Sequence, residues 1–349
     1  MNPLIEKLER THRLDGDELT ALLESDDPEL RETLARKALS MRRQHYGDQV
    51  CIRGLIEFTN HCKNNCYYCG IRCSNSKVRR YRLTEAQILE ACQKGYALGF
   101  HSFVLQGGED PMYTPDRLAD LIVQIKSQYP DCALTLSVGE HSRQTYALWK
   151  EAGADRYLLR HETAEPSHYR QLHPQPQSFQ NRMQCLQDLK DLGYQVGCGF
   201  MVGSPGQGVA QLVQDLLFLQ DFQPHMVGIG PFIPQKDTPF GQCSPGSVEQ
   251  TLFLLSIIRL LLPQVLLPAT TALGTLHPQG RELGLLAGAN VCMPNLSPGA
   301  VRKDYALYDH KLSDGPEAAE SLDALSQRLR NIGCVPDLSR GDHLNFVRN

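Results

Sequence analysis

The stretch Ile52-Arg53-Gly54-Leu55-Ile56-Glu57-Phe58-Thr59-Asn60, followed at once by His61-Cys62-Lys63-Asn64-Asn65-Cys66-Tyr67-Tyr68-Cys69-Gly70, governs the reading of the chain. Residues 52–58 form a short apolar run with β-branched positions, which predicts a strand. Seven further runs of this kind follow, at 102–105, 133–138, 156–160, 195–201, 226–229, 265–268 and 290–293. Between them lie amphipathic segments with helical spacing, at 85–98, 116–128, 145–152, 179–192 and 209–219. Gly99, Gly153, Gly193 and Gly288 stand just past helical segments, where a glycine closes a helix before the next strand. Alternating strands and helices call for a parallel sheet with helices outside. Eight units in about 245 residues match a (β/α)8 TIM-type barrel in size; an open doubly wound sheet is the alternative, because a sequence does not show closure. The α/β reading divides the chain into an N-terminal helical extension over 1–49, a barrel over 50–295, and a short C-terminal extension over 296–349 that closes the barrel.

In such a barrel, chemistry sits where strands give way to loops. Here those positions are polar: Glu57-Phe58-Thr59-Asn60, Gln106-Gly107-Gly108-Glu109-Asp110, Ser137-Val138-Gly139-Glu140, Arg160-His161-Glu162-Thr163 and Thr270-Thr271. Five polar strand ends on one rim point to an active-site mouth.

Composition narrows the class. The chain has 349 residues, 41% of them hydrophobic, and a net charge of −4. That apolar share excludes a disordered chain, and the negative balance argues against a general nucleic-acid binder. No apolar signal core follows Met1-Asn2-Pro3. The longest apolar run, 252–267, is broken by Arg259 and Pro263, so it reads as a buried helix and a strand, not a membrane span. These features predict a soluble, cytoplasmic protein with reduced thiols. Its 12 cysteines fall far short of the roughly 8–10% of a disulfide scaffold, so each needs another reason.

Cys62, Cys66 and Cys69 supply one such reason. Their spacing could place them on one helix face, but Asn64-Asn65 favours turns and Gly70 ends the run, which favours a tight loop. A closed zinc site takes four protein ligands, and no matching pair stands elsewhere. Three thiolates without a fourth point to a [4Fe–4S] cluster with one open iron.

Cys-x3-Cys-x2-Cys, with the aromatic Tyr68 before the third cysteine, resembles the signature of the radical S-adenosylmethionine (SAM) superfamily. That resemblance implies reductive cleavage of cluster-bound SAM to methionine and a 5′-deoxyadenosyl radical. It makes Cys62, Cys66 and Cys69 the cluster ligands, and it puts Tyr68, Gln106, Gly107, Gly108 and Glu109 at cofactor-binding positions, with the Gly-Gly-Glu backbone receiving the methionine amino group. Cys69-Gly70-Ile71-Arg72, residues 104–110 and 157–164, residues 226–234, Pro268-Ala269-Thr270-Thr271-Ala272 and Met293-Pro294-Asn295 look like the HydE family of [FeFe]-hydrogenase maturases, a biotin synthase-like group. The similarity runs from about 50 to 310. It implies SAM contacts at Glu162 on the ribose side, at Arg182 on the carboxylate and at Tyr305. It implies a cavity lined by Thr135, Ser137, Arg160, Thr270, Thr271 and Tyr308, with Met226, Pro231 and Met293 as a deeper floor.

The implied substrate is an organoiron–cysteine complex made by HydG. The implied partners are HydG, HydF and a one-electron donor such as ferredoxin or flavodoxin, with no nucleic acid and no membrane. Gly107 stands where the family often carries serine, a departure that changes polarity at the cavity edge. Residues 309–333 contain no cysteine and Cys334 stands alone, so no second cluster is expected. Cys73 reads as a spare thiol, and the other cysteines as small buried hydrophobes. Two alternatives remain: a methylornithine synthase-type mutase, and a non-enzymatic iron–sulfur carrier. Biotin synthase itself would need further cysteines, for which only Cys132 and Cys198 are tempting.

Overall fold

In a computed structural model, which describes residues 2–313 and 322–346, three helices precede the first strand. They are α1 (Pro3–Thr11), α2 (Gly16–Leu23) and α3 (Pro28–Tyr46). Their starts follow from sequence: Asn2, Asp15 and Asp27 each accept a backbone N–H of the first turn, and Pro3 and Pro28 stand where no N–H is needed.

The barrel then runs β1 (Gln49–Ile52), β2 (Gly54–Thr59), α4 (Glu85–Ala97), β3 (Ser102–Gly107), α5 (Pro115–Gln128), β4 (Ala133–Ser137), α6 (Arg143–Glu151) and β5 (Arg156–Leu158). It continues with α7 (Pro166–Leu172), α8 (Phe179–Asp191), β6 (Gln195–Cys198), β7 (Met201–Val202), α9 (Val209–Phe222), β8 (Met226–Val227), β9 (Gly230–Pro231) and α10 (Val248–Leu261). The chain ends with α11 (Thr271–Leu276), α12 (Gly280–Leu286), β10 (Val291–Cys292), α13 (Gly299–Arg302), α14 (Leu322–Asn331) and β11 (Val335–Asp337).

Six strands form a parallel sheet in the order β2-β3-β4-β5-β6-β8. Residues 265–268, expected as a strand, join it only through single bridges, Met226 to Leu266 and Pro268 to Val291. Pro268 has no N–H to extend a ladder. The first strand divides at Arg53, and both halves face the eighth: β1 pairs with β10, and Leu55 bridges to Asn295. The bridges complete the ring, so the barrel reading stands over the open sheet. Several strands are shorter than their apolar runs, the run at 195–201 breaking at Gly199, whose φ of 144° no side-chain-bearing residue adopts readily.

Leu, Ile, Val and aromatic side chains fill the layer between strands and helices. The N-terminal helices pack outside that ring. His12 Nδ1 meets Leu260 O of α10 at 2.8 Å, and the Gln220 side chain of α9 bonds both backbone groups of Leu14. At the strands' N-terminal rim, β11 pairs in parallel with β1, Val335 opposite Gln49 and Asp337 opposite Cys51. The chain then passes beneath the barrel, where Asp342 pairs with Arg156 at 2.6 Å and accepts from Gln195. The cysteine-free stretch 309–333 lies partly outside the described residues, which omit 314–321. Buried Cys334 accepts from Arg42 Nη1 at 3.4 Å.

Candidate active site

The cysteine loop leaves the end of β2 as turns and irregular backbone, not as a helix. Neighbouring segments hold it. Lys63 N donates to Glu109 O, Tyr67 N to Leu172 O, Gly70 N to Leu307 O and Cys73 N to Asn64 O, all at 2.8–3.0 Å. Two glycines admit this close packing. A Cβ on Gly108 would lie 2.3 Å from His61 O, and one on Gly70 would lie 2.0 Å from Ala306 O. Gly108 therefore seats the cysteine loop, a packing role that the sequence alone does not separate from ligand contact. Arg80, missed from the sequence, donates to four carbonyls of the loop region: Asn60, Ile71, Arg72 and Asn75.

Burial pushes the Cys62 thiol up to about 11. It raises Cys66 too, and raises Cys69 further, with Cys66 and Cys62 adding to the effect on Cys69. That mutual influence places the three sulfurs within electrostatic reach of one another. Among the described residues, no three carboxylate, imidazole or thiol groups converge as a set that could hold one metal ion. A cube offers a separate iron corner to each of three thiolates, and cationic iron favours their deprotonation. All three cysteines are free thiols, and the set fits a cluster.

Tyr68, within this loop, is half-buried. His173 Nδ1 lies 3.0 Å from Tyr169 O, so that nitrogen carries the proton and donates. Nε2 is then the acceptor for the Tyr68 hydroxyl at 3.0 Å. Burial, helped by Arg182, holds His173 down to about 3, consistent with a neutral ring.

The other expected cofactor residues fall into two groups. Gln106 donates to Tyr305 Oη at 3.4 Å, joining two of them. Arg182 Nε pairs with Glu140 at 2.5 Å, and its Nη1 donates to Arg160 O at 2.6 Å. Glu109 is already engaged: Lys63 Nζ lies 3.1 Å away, and Glu140 N donates to Glu109 Oε1 at 2.9 Å. Glu162 takes a left-handed φ of 64°, rare for a residue with a side chain. Its Oε2 lies 3.2 Å from Arg160 Nη2, yet neither atom makes an aligned hydrogen bond.

Those two atoms, Arg160 Nε, Thr135 Oγ1 and Thr270 Oγ1 are all buried without a hydrogen-bond partner. A buried polar atom left so costs about 1–3 kcal/mol unless something else satisfies it. Thr135 and Ser137 lie two apart on β4 and so share a face. Thr271 is committed, its Oγ1 accepting from Arg281 at 3.0 Å. Met226 belongs to the interior, where its Sδ accepts from Arg53 Nη1 at 2.9 Å and Met293 packs beside it in a small apolar group. Pro231 is buried on β9, paired with Val202 of β7, and Tyr308 is half-buried. Cys132 and Cys198 belong to the apolar core, and Cys73 is exposed.

A three-cysteine loop rising from the first strand of an eight-unit barrel defines the radical SAM class, and the profile of the Radical SAM superfamily matches residues 56–219. The [FeFe] hydrogenase maturase subunit HydE of Thermotoga maritima is 48% identical over 333 residues, covering 95% of this chain and 94% of its own. The 3-methylornithine synthase of Methanosarcina acetivorans is 30% identical over 333 residues, covering 95% and 93%. The crystal structure of methylornithine synthase PylB matches with a TM-score of 0.85 at 30% identity, over 96% of this chain and 97% of that one. The chain belongs to the HydE family of radical SAM enzymes. Its class uses a [4Fe–4S] cluster and SAM, and the carrier reading is set aside. No helix among the described residues is long and apolar enough to cross a membrane.

Proposed function

We propose that this enzyme acts in the cytoplasm on an organoiron–cysteine precursor during assembly of the [FeFe]-hydrogenase H-cluster, between HydG and HydF. The observation that carries the reading is the 48% identity with a HydE maturase along nearly the whole of both chains. When bound, the cluster and SAM supply a 5′-deoxyadenosyl radical, using an electron from a donor such as ferredoxin or flavodoxin.

The protein's part is to bind, orient and exclude water. Cys62, Cys66 and Cys69 hold the cluster. Arg182, kept in place by Glu140, offers its fork to the SAM carboxylate. Glu162 takes the ribose side, and Gln106, Tyr305, Tyr68 and the Gly107–Glu109 backbone frame the rest. The unpartnered atoms of Arg160, Thr135 and Thr270 give a compact anionic complex fixed donors at no cost of reorganisation. Ser137, Thr271 and Tyr308 complete the wall above Met226, Pro231 and Met293.

The test is H-cluster maturation in a reconstituted system lacking only this protein. Restored hydrogenase activity supports the reading; 5′-deoxyadenosine formation without restored maturation overturns it. The 30% identity with 3-methylornithine synthase favours an amino-acid mutase as the second reading, and formation of 3-methylornithine by the reconstituted enzyme would establish it.

A further inference from the structure

Cys66 differs from its two neighbours in what donates to its sulfur. The Cys62 and Cys69 sulfurs meet backbone groups of Asn64 and Glu109, and of Ile71. The Cys66 sulfur meets side chains, Tyr68 two residues on and Gln177 111 residues away in sequence, whose Nε2 donates to Sγ at 3.3 Å. The amide oxygen lies farther off, at 3.6 Å. Gln177 is held for this contact. Its N–H closes a turn onto Pro174 O, and the same segment is tied to the cysteine loop by Tyr67 N to Leu172 O at 3.0 Å.

We infer that Gln177 is a positioning residue that sets the reduction potential of the cluster through this N–H···S hydrogen bond. The inference rests on the reading that Cys66 ligates the cluster. One electron enters the cluster on reduction, with no bond made or broken and no proton moved. The added charge spreads onto the ligating sulfurs, so a donor on one of them stabilises the reduced form more than the oxidised form and raises the potential. A side-chain donor, unlike the backbone ones, can be removed by substitution.

The experiment is an electron paramagnetic resonance titration with dithionite, without SAM, on anaerobically reconstituted full-length protein. Wild type is compared with Gln177→Leu and Gln177→Glu, with iron and sulfide measured on each. The expected result is full cluster content in all three. At a fixed potential Gln177→Leu should be about tenfold less reduced, a shift of about 59 mV to more negative values. Gln177→Glu, which puts a carboxylate against the sulfur, should lie lower still. Equal potentials in fully loaded proteins would overturn the inference and leave the cysteine assignment standing. A wild type that forms no four-iron cluster would overturn the assignment itself. If Gln177→Leu fails to load, the Glu variant, of the same shape as Gln, decides. Failure of both would also count against the inference, since Gln177 would then serve loading and not potential.

Discussion

Arg80 gathers the ends of the cysteine loop with one guanidinium. Its two terminal nitrogens reach Asn60 O and Ile71 O at 2.5 and 2.8 Å, and Arg72 O and Asn75 O at 2.6 and 3.2 Å. A lysine ammonium is a point donor without the planar fork, and it cannot serve four carbonyls in this arrangement. Arg80→Lys should cost the loop on the order of 1.5–3 kcal/mol of charge-assisted hydrogen bonding. Because the contacts are confined to residues 60–75, the loss should appear as a several-fold drop in iron and sulfide per chain after anaerobic reconstitution. The urea midpoint of the whole protein should barely move; full loading of the variant would refute the role. Glu162 shows a second residue-scale device. His161 Nδ1 accepts from Gly199 N at 3.2 Å, so Nε2 carries the proton and donates to Asp215 at 3.3 Å. The same Asp215 oxygen accepts from Ala164 N at 2.6 Å. This buried network brackets Glu162, whose left-handed backbone is a costly conformation for a residue with a side chain.

At the scale of elements, β5 is keyed to α6 and to the turn before β6 by an aromatic wedge. Tyr157 lies 5.1 Å from the Tyr146 ring, 6.4 Å from Trp149 and 6.0 Å from Tyr194. Every polar tip is satisfied: Trp149 Nε1 donates to Pro115 O, Tyr157 to Gly139 O and Tyr194 to Tyr146 O. Trp149→Ala should destabilise the fold by about 3–5 kcal/mol, seen as a lower urea midpoint at unchanged slope; a loss below about 1 kcal/mol would show the wedge to be dispensable. Elements of this kind were legible because their signals are local. The amphipathic spacing of 85–98, 145–152 and 179–192 marks α4, α6 and α8, and Gly99 and Gly153 follow their helices with φ of 92° and 113°. The cysteine loop was legible for the same reason, being eight consecutive positions whose turn-forming residues exclude a helix. The break at Arg53 and the bridged strand at 265–268 were not, because apolar runs measure burial and not ladder continuity. Arg80 and Gln177 carry no periodic or motif signal. Arg80 acts through four carbonyl contacts and Gln177 through one partner, all fixed by tertiary packing, and in Gln177 that partner is 111 residues away.

At the scale of the whole molecule, the described C-terminal residues 335–346 cross the N-terminal ends of the strands, pairing with β1 and reaching Gln195. Beneath the strands lie two buried guanidiniums. Burial, with Arg156 adding to it, pulls Arg53 down to about 9, and burial likewise lowers Arg156. Such cations need compensation in place. Asp342 gives it, 2.6 Å from Arg156, accepting also from Gln195 and paired with Arg340, which in turn meets Asp155 at 2.8 Å. Burial alone would push the Asp342 carboxyl up; Arg156, Gln195 and Arg340 outweigh it and hold it below the usual carboxylate value. A carboxyl depressed in the folded state adds stability above its unfolded pKa of about 3.9, and that stability is lost as pH falls through the folded value. The acid limb of the stability curve should therefore steepen below about pH 4. Asp342→Asn should lower stability at neutral pH by about 3 kcal/mol, since the carboxylate paired with buried Arg156 is removed and only the more distant Asp155 charge remains. It should also flatten the acid limb, because the group that titrates there is gone. Urea unfolding of both proteins from about pH 7 to about pH 3 measures the difference. Two parallel curves, offset equally at every pH, would show that Asp342 acts by shape and not by charge.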